Sequence, residues 1–406
     1  MAFSNPTRAE GLAMIEQFRP RMGRRYASGR NYDRGAGQHS AVSCLSPWLR
    51  RRLVTEEEVV AAALEDHGLE GAEKFVQEVI WRGYFKGWLE RRPSVWAAYR
   101  TGLAADYAAV DKDRRLRKDL DAAEAGRTGL DCFDAWAQEL TETGYLHNHA
   151  RMWFASIWVF TLELPWRLGA DFFYHNLLDG DPASNTLGWR WVAGLHTRGK
   201  TYQAQAWNIA KFTNQRFQPR DTDLAPDAAP LDYTEPEGLP TVAPIREVVR
   251  PDPTQPSALL ITEEDCRLET FDPGRYDLRT AATLVASHLR SDREINPHVV
   301  TFEEGALSDA AQRLAPDAEP MRAGTPQDLA RWAAKAGARQ IVTGYVPEGP
   351  LRDWLNEAAP TLKEHGLTLA EWRRDWDAAI WPHATAGFFK VKQKIPRIVD
   401  QVLVAG

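Results

Sequence analysis

Two carboxylates and an amide crowd one turn-rich stretch, Asp179-Gly-Asp181-Pro-Ala-Ser-Asn185, and the indoles of Trp189 and Trp191 follow directly. On its own such a stretch is also what a turn held by Asx hydrogen bonds looks like. The apolar segment before it carries Asn148, Arg151, Met152 and Ala155 at spacings of three and four, which puts them on one helical face. Trp153, Ile157, Phe160 and Leu164 form the opposite, core-facing stripe. An arginine on a mostly buried helix needs a carboxylate partner, because an unpaired buried charge is very costly. Asp179 and Asp181 are the candidates. Glu78, Trp81, Arg82 and Phe85 share a second helical face in EVIWRGYF. A carboxylate, an indole and a guanidinium side by side suit the recognition of a flat polar ligand by stacking and hydrogen bonding. Ser43-Cys44-Leu45-Ser46-Pro47 reads as a helix entry, with serine caps, a proline near the first turn and free backbone N–H groups, a start that binds phosphate well.

All of these groups fall in the half of the chain whose apolar residues recur at helical spacing. Residues 73–90, 133–143 and 146–168 predict helices, with no strand alternation between them. Nine of the 25 prolines lie between residues 218 and 257, so that stretch reads as an extended connection. Beyond it, short β-rich runs at 259–261, 299–302 and 341–343 alternate with helical stretches around 280–289, 327–336 and 351–365. That alternation predicts a parallel sheet with helices on its faces. The expected organisation is a helical domain over residues 1–217, a proline-rich linker over 218–256 and an α/β domain over 257–406.

A net charge of −6 over 406 residues gives no global attraction to nucleic acid, so any such contact must rest on a local basic face. Arg50, Arg51 and Arg52, with Arg91 and Arg92, are the candidates. Cys44, Cys132 and Cys266 stand too far apart for a CxxC metal site and read as buried thiols. The longest apolar stretch, 152–162, is interrupted by Ser156 and falls short of the ~20 residues that cross a bilayer. With no basic, apolar leader at the N-terminus, a cytoplasmic location is expected.

Taken in order, SAVSCLSPWL, EVIWRGYF, GYLHNHARMWFAS and LLDGDPASNTLGWRW resemble the FAD-binding domain of DNA photolyases and cryptochromes, over about residues 26–207. Any one segment is unspecific; the ordered set is not. The resemblance implies an all-helical photolyase-type FAD-binding domain followed by a Rossmann-like α/β domain with a parallel sheet, similar to the family's antenna domain. It implies that Ser43, Leu45 and Ser46 hold the FAD phosphates and that Arg82 makes another cofactor contact. Asn148 and Arg151 would line the bent FAD, with Arg151 paired to Asp179. Asp181 would accept a hydrogen bond from the flavin ring edge. Asn185 would face flavin N5, where an asparagine is typical of photolyases. Glu78, Trp81 and Met152, with Trp191 as a second aromatic wall, match the set that binds cyclobutane pyrimidine dimers. The implied activity is light-dependent repair of damaged DNA by electron transfer from reduced FAD. The alternative is a cryptochrome-like blue-light photoreceptor that signals through a partner.

Three features depart from the family's pattern. Trp189 and Trp166 match the inner two tryptophans of an electron-transfer chain, but the third position falls on Ala123, leaving Trp153, Trp158 or Trp136 as other exits. Asn185-Thr186 stands where two asparagines are common, and His149 where a basic residue is usual. The helical domain also precedes the antenna-like domain, the reverse of the usual order, which implies a circular permutation. The α/β domain is the place for a second, light-harvesting chromophore, although no phosphate-cradling glycine fingerprint follows its first strand.

Overall fold

The computed structural model describes residue 3 and residues 5–403. The helical domain is built from α1 (Arg8–Phe18), α2 (Arg24–Gly29), α3 (Ser46–Arg50), α4 (Glu56–Glu90), α5 (Pro93–Lys112), α6 (Arg114–Glu124), α7 (Asp131–Thr143), α8 (Asn148–Ser156), α9 (Trp166–Asn176), α10 (Pro182–Val192) and α11 (Ala206–Phe212). Local signals explain the important boundaries. Thr55 and Glu58 form a reciprocal capping box that starts α4 just ahead of a first turn of three glutamates, which favour the positive end of the helix dipole. Gly144, with φ of 69°, closes α7 in the left-handed conformation. The helix expected over residues 146–168 is broken. After α8 a π-helical turn (Ile157–Thr161) leads into Pro165, and α9 starts anew at Trp166.

The α/β domain contains β1 (Ser257–Thr262), β2 (Leu278–Val285), β3 (Glu319–Arg322), β4 (Gln340–Gly344) and β5 (Thr368–Trp372), all parallel, in the order β3-β2-β1-β4-β5. Its helices are α12 (Pro297–Leu314), α13 (Pro326–Lys335) and α14 (Pro350–Glu364). Every residue of central β1 is buried. Leu259 and Ile261 pack with α12 and the helical domain, whereas Ala258 and Leu260 pack with α13 and α14. The two-residue period of a strand buried on both faces produces that division.

Two elements of this domain differ from the sequence expectation, and each for a local reason. Residues 299–302, expected as a strand, lie in α12. The Asn296 side chain accepts from the His298 N–H at 2.9 Å and Pro297 occupies the first turn, so the start signal outweighs the β-branched content. Residues 280–289, expected as helical, contain most of β2. Ala281 and Ala282 favour helix in isolation, but pairing with Leu259 and Leu260 of β1 decides the conformation.

The proline-rich connection is laid across both domains. The Leu231 N–H donates to Ala193 O at 3.0 Å, the Ala243 N–H to Arg91 O at 2.8 Å, and the Glu371 N–H to Val249 O at 2.9 Å. After β5, α15 (Asp375–Ile380), α16 (Phe389–Lys392) and α17 (Ile395–Leu403) leave the sheet, and α15 and α17 pack against α4. Gly83 and Gly87 make that approach close. A Cβ at Gly83 would stand 2.9 Å from Ile380 Cδ1, and one at Gly87 2.6 Å from Trp381 Cδ1. No helix among the described residues is long and apolar enough to cross a membrane.

Candidate functional site

Residues from four separate segments converge on one cavity of about 440 Å³ inside the helical domain. Its lining includes Ser43, Leu45 and Ser46 from the entry to α3 and Glu78, Trp81, Arg82 and Phe85 from α4. Asn148, Arg151, Met152 and Ala155 of α8 complete one wall, and Asp179, Asp181, Asn185, Trp189 and Trp191, in and before α10, another. The helical spacing of α8 thus divides as expected. Trp153, Ile157 and Leu164 are buried in the core behind the cavity, while Phe160 is half-buried.

Burial and charge set the electrostatics. Arg151 donates to Asp179 at 2.8 Å and through Nε to Leu146 O at 2.9 Å. Burial alone would raise the Asp179 carboxyl, but Arg151 outweighs it and holds the group below the usual carboxylate range. Asp181 caps α10 by accepting from the Ser184 N–H at 2.8 Å. Burial pushes its carboxyl up as well. Lys86, Arg82 and Arg50, with nitrogens 3.5, 3.7 and 3.9 Å from its Oδ2, prevail and keep it firmly ionised. Asn185 donates to Ala170 O at 2.7 Å, which fixes the amide plane at the cavity wall. Glu78 is paired with Arg30. Burial moves the Glu78 carboxyl up despite that arginine, toward the protonated form that can itself donate a hydrogen bond.

Several buried polar atoms of this lining have no hydrogen-bond partner among the described residues: Asp179 Oδ1, Asp181 Oδ2, and Nε and Nη2 of Arg82. Native interiors rarely leave such groups unpaired. Acceptors beside an elongated cavity, serines at a helix entry and a guanidinium with spare donors fit FAD, which carries a ring N–H and a pyrophosphate.

The structure corrects one sequence expectation outright. Arg50, Arg51 and Arg52 form no basic face for nucleic acid: Arg50 and Arg51 are 0% exposed and Arg52 3%. They run from the helical domain into the carboxyl end of β1. Arg50 donates to Glu264 at 2.6 Å, Arg52 to Asp377 at 2.7 Å, and Arg51 lies 3.4 Å from Glu263. Arg92 is also buried, over the Trp88 ring, and donates to Thr385 O at 2.9 Å. Arg50 and Lys86 were missed as parts of the site. Lys86 was discoverable, because Glu78, Arg82 and Lys86 follow one another at four-residue steps on one face of α4.

Of the tryptophans singled out for electron transfer, Trp189 lines the cavity and Trp166 lies off it, 3% exposed. The Trp158 ring stands 6.1 Å from Trp189, and the Tyr99 ring 5.8 Å from Trp166. Ala123 is fully buried in α6, and Trp136, Trp153 and Trp158 are equally inaccessible. The three cysteines are free thiols, Cys132 and Cys266 buried and Cys44 half-buried, and no metal-binding group of His, Cys, Asp or Glu occurs among the described residues.

A helical domain with such a cavity fits a flavin, and comparison with known proteins points the same way. Residues 75–223 match the family described as the FAD binding domain of DNA photolyase. A deoxyribodipyrimidine photo-lyase from Streptomyces griseus is 40% identical over 161 residues, which cover 39% of this chain and 33% of that protein. A chloroplastic/mitochondrial cryptochrome DASH from Ostreococcus tauri is 34% identical over 173 residues, covering 42% of this chain and 30% of its own. The crystal structure of a bacterial class III photolyase from Agrobacterium tumefaciens aligns at 24% identity with a TM-score of 0.41, over 59% of this chain and 53% of that one. The chain spans about a third of the length of these two curated relatives. Residues 75–223 are thus similar to the FAD-binding domain of DNA photolyases, and over this helical part the chain resembles the DNA photolyase and cryptochrome family.

Proposed function

We propose that the protein repairs cyclobutane pyrimidine dimers in DNA under light, with reduced FAD held in the α4–α8–α10 cavity. The observation that carries this reading is the joint lining of one cavity by a flavin-type set (Ser43, Ser46, Arg82, Arg151, Asp179, Asp181 and Asn185) and a lesion-type set (Glu78, Trp81, Met152 and Trp191). Bound, reduced FAD would supply one electron under light and take it back once the ring has split, so the repair is redox-neutral. The chain's own residues position and polarise. In this reading Ser43, Leu45, Ser46 and Arg82 hold the phosphates, Asn148 and the Arg151–Asp179 pair shape the bent cofactor, and Asp181 accepts from its ring edge. Asn185 presents a neutral amide to the ring, so no fixed charge stands there. Trp81 and Trp191 take the flipped lesion between their faces, where extrusion costs a few kcal/mol and least for a damaged step. Glu78, held by Arg30 beside the lesion walls, hydrogen-bonds to the lesion as negative charge builds on it. Trp189 and Trp166 start the path by which oxidised cofactor is re-reduced.

The same reading makes the domain order a circular permutation, a view supported by the return of α15 and α17 from the sheet to α4. It also makes the α/β domain the place where a second, light-gathering chromophore would sit. An absorption band beyond that of FAD in the purified protein is the expected sign of it. The test of the main reading is irradiation of the pre-reduced protein with a dimer-containing oligonucleotide, followed by thymine absorbance. Full FAD loading with no recovery of absorbance would defeat it and favour a signalling role.

A further inference from the structure

We infer that residues 383–397 form a docking strip for the backbone of duplex DNA, set beside the mouth of the cavity. The inference rests on the repair reading above and names residues which that reading leaves unused. A chain of net charge −6 must gather its phosphate-binding cations locally. The stretch HATAGFFKVKQKIPR supplies Lys390, Lys392, Lys394 and Arg397 and contains no acidic residue.

The strip is fixed in place. Tyr84 donates to Ala386 O at 2.8 Å, and Arg92 to Thr385 O at 2.9 Å. The Phe388 ring stacks on Trp81 with centroids 3.9 Å apart and planes 13° from parallel. Trp81 lines the cavity and Phe388 does not, so the indole has the cavity on one side and this segment on the other. Lys392 lies 3.5 Å from Glu73, one turn before Gln77 and Glu78 on the same helix.

Lys390, Lys394 and Arg397 are exposed and make no ion pair among the described residues. They follow one another at steps of four and three along the nearly continuous helical path of α16 and α17, where the Lys394 N–H donates to Val391 O at 2.8 Å and the Ile398 N–H to Lys394 O at 2.9 Å. That spacing gives them a common face. Between the first lysine and the stacked Phe388 stands Phe389, 68% exposed. The face opposite is spent: Ile395, Ile398 and Val399 of α17 are buried, which leaves the single ring of Phe389 as the strip's exposed apolar group, too little to enter a bilayer. A single-signed strip anchored to the wall of the lesion cavity fits a phosphate backbone.

The test compares the full-length, FAD-loaded protein with a variant carrying Lys390→Ala, Lys394→Ala and Arg397→Ala, by titration with dimer-containing duplex at several salt concentrations. Every phosphate that no longer meets a cation should flatten the slope of log affinity against log salt by about 0.9, so the variant's slope should be shallower by about 2–3, with unchanged FAD absorbance per chain. A charge-preserving variant, Lys390→Arg with Lys394→Arg and Arg397→Lys, should restore the slope. Equal affinity and slope in the alanine variant and the parent would overturn the inference and leave the repair reading standing. Failure of the parent itself to bind damaged duplex would remove both. Loss of binding to phosphatidylserine vesicles, with DNA binding intact, would reassign the strip to a membrane surface and overturn it too.

Discussion

Asp181→Ala isolates the electrostatic reasoning behind the site. The carboxylate is 1% exposed, faces Lys86, Arg82 and Arg50 at 3.5–3.9 Å, and caps α10. Its removal has two separable costs. Losing the cap costs about 1 kcal/mol, and leaving buried cations short of their partner costs on the order of 3–5 kcal/mol. Glu56 and Glu264, at 3.5 Å from Arg82 and 3.6 Å from Lys86, soften the second cost but do not replace an anion inside the cavity. For cofactor binding, the loss of a charge-assisted hydrogen bond of about 1.5–3 kcal/mol weakens FAD roughly 10- to 150-fold. Asp181→Asn serves as the control, since asparagine caps a helix as well as aspartate and removes only the charge. The assay is thermal melting of both variants with and without added FAD, alongside a fluorescence titration of the cofactor. The expected order of FAD affinity is parent, then Asn, then Ala, with the FAD-free melting temperature of the Asn variant already several degrees below the parent. Parental FAD affinity in the Ala variant would refute the assignment of Asp181 to the flavin edge. Parental melting in the FAD-free Asn variant would refute the claim that the carboxylate neutralises buried cations.

Glu78→Ala should retain FAD and lower the repair yield per absorbed photon by tenfold or more, read by thymine absorbance recovery; a loss of FAD alongside would contradict its place on the lesion side. Arg50→Ala strands Glu264 and the Gly180 carbonyl, which it contacts at 2.6 and 2.8 Å, and should cost about 3–5 kcal/mol in chemical denaturation, a loss that an intact interface in the variant would rule out. His196, buried against Tyr84, has its pKa pushed down from 6.5 to about 3, first by burial and then by Arg190 and Arg92. Its proton binds the unfolded chain first, so the stability it contributes is complete above pH 6.5 and drains away as pH falls toward 3, by about 2 kcal/mol at pH 5. His196→Gln should flatten that part of the stability profile, and an unchanged slope between pH 6.5 and 5 would exclude it as a source.

The sequence made the cavity legible because its chemistry is carried by local periodicity. Steps of three and four place Asn148, Arg151 and Met152 on one face of α8, and Glu78, Trp81 and Arg82 on one face of α4, whatever the rest of the chain does. Pairings that depend on distant segments were not legible. Nothing near Arg50 in sequence announces that Glu264 will come to it, and an arginine triplet looks the same whether solvated or entombed. The exchange of strand and helix between 280–289 and 299–302 has the same origin. For β2 the deciding partner is β1, about twenty residues away, whereas α12 was readable from Asn296-Pro297 had the cap been weighed above the β-branched run. Phe388 stacking on Trp81 joins residues more than 300 positions apart.

In the proposed reading, the distribution of cations lets an acidic chain serve both a dianionic cofactor and a polyanionic substrate. In a parallel sheet whose strand order reverses beside β1, the crevice beyond the carboxyl ends of the strands is the usual place for a ligand. Here Glu263, Glu264 and Asp265 occupy that edge and receive Arg50, Arg51, Arg52, Arg290 and Arg374. The buried cations are therefore committed to carboxylates, and the excess that reaches the flavin cavity through Arg50, Arg82 and Lys86 is the part met by Asp181. Salt screens such a buried network weakly. The exposed cations of residues 390–397 are screened strongly, because they face water. Ionic strength should consequently weaken DNA binding steeply while leaving FAD retention and the contact between the domains almost unchanged, and that separation follows from where each charge is placed rather than from their number.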